Sequence, residues 1–274
     1  MLKKEVEAAM KATFLRKCAI LAVTVGSTLA ISVYVLYLRL INAYDRDHAD
    51  RVLRWWSSLL LRATGATWEV HNPAAVKVPK GRPCIVMSNH RSHYDIPLIY
   101  VSLEGSIRML TKKELFRIPL WGRGMRAAEF ISIDRSDNAQ ARKDLASARE
   151  KMEDGIVLWV APEGTRSRTG RLGAFKKGGF VLAIELGALI IPVGIRGSER
   201  IHRPGSSDIH VDQRVEVHIG EPVDASRYSL EERDKLLEDV RTVISMLAGE
   251  HEPNLSPCAI QPETDGPTGL SIKR

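Results

Sequence analysis

Cys84-Ile85-Val86-Met87-Ser88-Asn89-His90-Arg91-Ser92-His93-Tyr94-Asp95 is an apolar run that stops at a histidine and carries a carboxylate five residues further on. It reads as a strand that delivers a base to a site. Residues five apart on a regular helix are separated by roughly 140° around its axis, so His90 and Asp95 can meet only if one of them lies in a turn. Pro97 is tolerated in a first helical turn and not in a helix interior, which starts a helix near Asp95 and runs it to Val101. A carboxylate beside a neutral imidazole fixes its tautomer and stabilises the imidazolium formed when it takes a proton, which describes a general-base dyad. The plainer alternative is that Asp95 only caps the helix and His90 is a loop histidine. His93 is a rival base, and Ser92 is a weak nucleophile candidate because no G-x-S-x-G elbow occurs in the chain.

Outward from this strand the hydrophobic period alternates. Strands are expected at Trp68 to His71, Cys84 to Met87, Ile107 to Leu110, Phe130 to Ile133, Ile156 to Val160, Leu189 to Ile195 and Arg214 to Ile219. Helices are expected at Asn138 to Met152 and Gly179 to Leu186, and a capping-box pattern at Ser229 and Glu232 predicts a last helix from Leu230 to Leu247. Such alternation argues for an α/β domain with a central, largely parallel or mixed sheet flanked by helices. It would occupy residues 63–249, behind membrane-anchoring helices in residues 1–62 and ahead of a proline-rich tail, 250–274, that reads as disordered. No internal repeat and no Walker or Rossmann glycine pattern is present.

A second polar turn follows the strand Gly155-Ile156-Val157-Leu158-Trp159-Val160, namely Ala161-Pro162-Glu163-Gly164-Thr165-Arg166-Ser167-Arg168. Its residue types suit an anion. Gly164 lets backbone approach a ligand, Thr165 and Ser167 can donate hydroxyl hydrogen bonds, and Arg166 offers the planar fork that grips phosphate oxygens. Composition alone leaves a solvated turn open.

Asn89-His90-x-x-x-x-Asp95 followed by Pro162-Glu163-Gly164-Thr165-Arg166-Ser167 resembles the glycerolipid acyltransferase family, typified by enzymes that acylate 1-acylglycerol-3-phosphate. The family's intermediate block is matched by Phe130-Ile131-Ser132-Ile133-Asp134-Arg135 and its last block by Ile190-Ile191-Pro192-Val193, so the resemblance covers roughly residues 65 to 225. It implies that His90 is the base, that Asp95 orients it, that Arg135 and Arg166 hold the acceptor's phosphate, and that Glu163 and Gly164 belong to the acceptor-binding turn. Ala161 stands where an aromatic residue often precedes that turn, which puts local packing in question.

The implied reaction moves a fatty acyl group from an acyl thioester, on coenzyme A or acyl carrier protein, to the free sn-2 hydroxyl of lysophosphatidic acid. His90 would take the hydroxyl proton, the alkoxide would attack the carbonyl and a thiol would leave, with no cofactor and no covalent acyl-enzyme. A related transferase for another lysophospholipid or lyso-amino-lipid, or a transacylase, would show the same motifs. A non-catalytic lipid-binding protein is the third class, and the intact His90 and Asp95 argue against it. A lipid hydrolase lacks an activated serine.

At 274 residues and 44% hydrophobic the chain suffices for one substantial core, and its net charge of +7 favours an anionic partner. Arg108, Lys112, Lys113, Arg117 and Arg123 cluster against Glu114 alone, which suits anionic headgroups beside a lipid-handling motif set. Nucleic acid is not supported by any zinc-finger spacing or aromatic RNA-binding signature. Cys18, Cys84 and Cys258 show no C-x-x-C pairing, and His202, His210 and His218 are too scattered to read as metal ligands.

Cys18 to Leu38 is 21 residues without a charge, roughly 30 Å as a helix and long enough for a bilayer core. A cleaved signal peptide would be shorter in its apolar region. Basic residues flank both ends, so the positive-inside rule gives no orientation, and spanning or one-leaflet insertion both stay open. Val52 to Leu61, with Trp55-Trp56, suits an amphipathic stretch at headgroup level. A resemblance to family members with a helical membrane-binding motif implies an anchor that holds the catalytic domain at the bilayer surface, on the cytoplasmic face.

Overall fold

The computed structural model describes residues 11–134 and 138–250. In chain order these form α1 (Phe14–Leu40), α2 (Arg46–Ala63), β1 (Thr67–His71), β2 (Cys84–Ser88), α3 (Asp95–Ser102) and β3 (Ile107–Lys112). A short 3-10 turn, Lys113–Arg117, leads to α4 (Trp121–Ala127), β4 (Ile131–Ile133), α5 (Asn138–Glu153) and β5 (Val157–Val160). Then come α6 (Gly178–Glu185), β6 (Leu189–Arg196), α7 (Ser198–Ile201), β7 (Arg214–Ile219), β8 (Val223–Asp224) and α8 (Arg233–Leu247).

The strands join in one sheet in the order β1-β7-β6-β2-β5-β3-β4, with β8 on the amino end of β6. β6, β2, β5, β3 and β4 run parallel, while β7 is antiparallel to β6 and parallel to β1. Every residue of β2 is buried, the condition that its unbroken apolar run requires. Its side chains alternate between two cores. Cys84 and Val86 join Leu53, Leu61 and Leu98 of α2 and α3, whereas Ile85 and Met87 join Phe180, Leu236 and Val240 of α6 and α8. The result is a sheet with helices on both faces, each fully buried aliphatic side chain contributing roughly 1.5–3 kcal/mol.

α1 is capped by Thr13, whose hydroxyl accepts from the Arg16 amide at 3.3 Å. Its polar residues are satisfied inside the helix: Thr24, Thr28 and Ser32 donate to the carbonyls of Ile20, Thr24 and Thr28 at 2.8, 2.6 and 2.8 Å. One face packs on α4, where Gly124 makes room; a Cβ there would lie 2.6 Å from Ser32 Cβ. The other face exposes Phe14, Leu15, Leu21, Val25 and Val33. The helix is long and apolar enough to cross a membrane by length and composition. Both of its ends nevertheless touch the α/β unit. Lys17 Nζ pairs with Asp208 at 2.9 Å and the Ala12 amide donates to Ile209 O at 2.9 Å, while Arg39 Nε donates to Ala127 O at 3.0 Å.

Several expectations shift. α2 extends to Arg46–Ala63 because Asp45 caps it, accepting from the His48 amide at 2.8 Å. Glu232 Oε2 does accept from the Ser229 amide at 3.1 Å, but that reach-back closes a turn and α8 begins only at Arg233. Arg108 is not part of a basic surface: it is fully buried, donating to Ala128 O and Asp50 Oδ1, both at 2.6 Å, and so ties β3 to α2. The tail beyond residue 250 and the first ten residues lie outside the described residues.

Candidate active site

β2 and β5 are adjacent and parallel, so the polar turns that follow them open side by side at the carboxyl edge of the sheet, where ligands of α/β sheets bind. His90 leaves β2 and Asp95 opens α3, and the structure brings them together with His90 Nδ1 2.7 Å from Asp95 Oδ2. Asp95 is fully buried, and the same oxygen accepts from the amides of Arg91 at 2.7 Å and Ser92 at 2.8 Å. A carboxylate in a first helical turn is also favoured by the helix dipole. Since an ionised carboxylate only accepts, Nδ1 carries the ring proton and Nε2 presents the lone pair. The imidazole is 16% exposed, so that nitrogen is reachable. Trp159 of β5 meets the ring edge-on at 5.8 Å between centroids, and its own Nε1 donates to Ser88 Oγ at 3.1 Å.

The second turn grips the His90 peptide from both sides. Glu163 Oε1 accepts from the His90 amide at 3.0 Å, and the Ser167 amide donates to His90 O at 2.7 Å. Glu163 Oε2 accepts from the Gly173 amide at 2.8 Å. Burial raises the Glu163 pKa above the usual glutamate value, and these two backbone donors work against that rise. Gly164 sits at φ +72°, a region open to glycine, with its amide on Ala161 O at 2.9 Å. Ala161 itself is half-buried against the core beneath. Ser167 Oγ donates to Arg171 O at 2.6 Å, so this hydroxyl closes its own loop, while Thr165 is exposed.

Arg166 is half-buried, and its buried Nη1 has no hydrogen-bond partner. Burial lowers its pKa, with Asp95 pulling the other way. Residues 198–206 add a neighbour that the sequence did not mark. Ser92 Oγ donates to His202 O at 2.9 Å, the His202 ring stacks on His93 at 5.8 Å, and His202 Nδ1 is buried without a partner. Desolvation first, and then the nearby Arg166 charge, push His93 down to about 4, and the same causes lower His202. Asp95 directs its hydrogen bonds to His90, Arg91 and Ser92, leaving His93 outside the dyad. Arg135 lies outside the described residues. No spacing rule could have joined His202 to His93, because one follows α7 and the other precedes α3, and only the fold brings those two connections together.

Two further features do not belong to this site. A cavity of about 840 Å³, lined by Val78, Pro83, Leu103, Ser106 and Ile156, opens at the amino ends of β2, β3 and β5, the opposite edge of the sheet. On the β1–β7 edge His71 and His218 stack at 4.4 Å beside Glu216. Their ring planes lie 11° from parallel, so their in-plane lone pairs do not converge, and Glu216 already pairs with His218 at 3.1 Å and Glu69 with Arg214 at 2.5 Å. This is a cross-strand ladder of paired polar side chains on β1 and β7.

Comparison with known proteins relates the chain to acyltransferases. A family model described as Acyltransferase matches residues 68–196. The chain is 30% identical over 213 residues to the chloroplastic 1-acyl-sn-glycerol-3-phosphate acyltransferase BAT2 of Brassica napus, covering 76% of this chain and 60% of that one. It is 32% identical over 146 residues to the 1-acyl-sn-glycerol-3-phosphate acyltransferase of Haemophilus influenzae, covering 53% of this chain and 60% of the relative. It thus spans about three-fifths of the length of these curated relatives. The crystal structure of the 1-acyl-sn-glycerophosphate (LPA) acyltransferase PlsC from Thermotoga maritima superposes with a TM-score of 0.72 at 27% identity, covering 86% of this chain and 94% of that one.

Proposed function

Because the chain belongs to the glycerolipid acyltransferase family, we propose that it transfers a fatty acyl group from an acyl thioester to the free sn-2 hydroxyl of lysophosphatidic acid, giving phosphatidic acid. The observation that carries this reading is the His90–Asp95 pair at the carboxyl end of β2, 2.7 Å apart and beside Arg166, whose buried Nη1 has no hydrogen-bond partner. His90 Nε2 takes the proton of the acceptor hydroxyl while its oxygen attacks the thioester carbonyl. The tetrahedral intermediate then collapses, the C–S bond breaks, and the thiolate leaves and is protonated by the imidazolium or by water. Asp95 keeps the ring in the tautomer this needs. Since a thiolate leaves easily, no covalent acyl-enzyme is required.

Arg166 is assigned to the acceptor's phosphate, with Arg135, Thr165 and the backbone of the Glu163–Ser167 turn as further contributors. His202 and His93 line the same side, and the buried, unpartnered Nδ1 of His202 supports a polar ligand group there. Glu163 and Gly164 shape the turn. The donor is acyl-coenzyme A or acyl carrier protein, both of which present a phosphopantetheine thioester.

Residues 1–62 serve as the membrane anchor. A helix tied to the α/β unit at both Lys17 and Arg39 lies along that unit, which favours burial of its apolar outer face in one leaflet over a crossing. The catalytic domain would then work at the bilayer surface, on the cytoplasmic side.

The test is thiol release by membranes carrying the protein, supplied with an acyl thioester and a panel of lysolipids. Release that requires lysophosphatidic acid and falls at least about 100-fold in His90→Ala is the expected outcome. Release with a different lysolipid alone would change the acceptor; product formed without a thioester would indicate a transacylase; none with any donor would overturn the enzymatic reading.

A further inference from the structure

We infer that Glu250, 159 residues beyond Arg91 in sequence, is a positioning residue that holds the His90 loop in its working geometry. This inference rests on the activity proposed above. Glu250 Oε1 accepts from Arg91 Nη2 at 2.6 Å, and Glu250 Oε2 accepts from the Leu172 amide at 3.0 Å. Arg91 directly follows the base, and its own amide is one of the donors that fix Asp95. The neighbouring carboxylate repeats the pattern one residue along each loop, for Glu163 joins the His90 amide to the Gly173 amide. Two carboxylates thus bridge residues 90–91 to residues 172–173 in parallel.

Several features of the fold exist to put Glu250 there. Gly194 of β6 lets the end of α8 press onto the sheet; a Cβ at that position would lie 2.2 Å from the Leu247 carbonyl carbon. Arg196 then caps the helix, donating to Leu247 O at 2.8 Å and to Met246 O at 3.2 Å. The last turn closes as a Schellman motif. The Glu250 amide donates to Ser245 O and the Gly249 amide to Met246 O, both at 3.0 Å, with Gly249 at φ +74°. A residue after a helix is normally a solvent-facing connection, yet Glu250 is 18% exposed and Arg91 10%. An ion pair sheltered to that degree, with a backbone donor on its second oxygen, has a defined geometry rather than a choice of rotamers. Loss of the carboxylate frees the Arg91 side chain and the 172–173 loop together, and displacement of a catalytic base by about 1 Å costs up to roughly 10²-fold in rate.

The experiment compares Glu250→Ala and the isosteric Glu250→Gln with wild type in the membrane-bound, full-length chain. The first arm is amide hydrogen exchange over residues 89–95 and 170–174; the second is steady-state kinetics with acyl thioester and lysophosphatidic acid. Expected are faster exchange in both segments, a kcat about 10- to 100-fold lower and KM values within about threefold of wild type, with Glu250→Gln intermediate because its amide oxygen still accepts from Leu172. Unchanged exchange, or faster exchange with unchanged kcat, would overturn the inference, as would a loss confined to KM. Should Glu250→Ala fail to fold, Glu250→Gln carries the comparison. If wild type itself transfers no acyl group, the proposed activity falls while the exchange arm still decides whether the clamp exists.

Discussion

Asp95 receives three N–H donors on one oxygen, and its other oxygen, Oδ1, is buried without a partner. The contact between His90 and Asp95 was legible because the strand, the turn and the proline all constrain the same five-residue gap. The placement of Arg166, His93 and His202 was not, since burial and stacking depend on which loops meet above the sheet. These three make a pH prediction. His93 is solvent-exposed by surface area, so solvent discounts the desolvation that, with the Arg166 charge, pushes it down to about 4. The direction still stands: below the ordinary 6.5 the unfolded state holds more protons, so stability rises with pH over that window. His202, lowered by burial, acts in the same direction. Chemical unfolding at about pH 4.5 and about pH 6.5 should show a less stable protein at the lower value, with the difference reduced in His93→Gln. An equal difference in the variant would assign the slope to other groups.

At the scale of elements, glycines decide what can touch what. Gly124 brings α4 against Ser32 of α1, and Gly122 abuts the Phe116 carbonyl, where a Cβ would lie 2.2 Å from the oxygen. Gly124→Val should therefore lever α1 away and destabilise the protein by about 1–3 kcal/mol, the usual cost of overpacking, measured as a lower melting temperature. A variant as stable as wild type would mean that α1 is held by its ends alone. Long apolar strands were readable because β2, β5 and β6 are buried on both faces and so carry no polar interruptions. Elements held by neighbours rather than by pattern were not. β8 is two residues paired to β6, and α4 starts after Leu120, a non-glycine residue at φ +64° that only its surroundings enforce. Arg108 was misread for a related reason: a charge count cannot see that Asp50, 58 residues away, is its partner.

At the scale of the molecule, α1, α2 and the sheet are one packed body, for Leu53 and Leu61 of α2 and Val35 of α1 share a core with β2 and β6. The arrangement predicts sidedness. Cysteines introduced at Lys11 and Asn42, which bracket α1, should both react with an impermeant thiol reagent from the same side of sealed vesicles. Protection of only one end would mean that α1 crosses the bilayer and leaves its place on the α/β unit. Salt should not extract the protein, because burial of apolar surface is insensitive to screening.

The grip of one turn on both sides of the His90 peptide has a temporal meaning as well. Its two halves, His90 and Glu163, are 73 residues apart, and each turn is shaped by the other. Contacts of such separation close late when a chain folds, after local helices have formed. In a newly made molecule α1 can therefore be complete while the His90 turn is still open, and that turn takes its final shape only when the middle of the sheet zips shut.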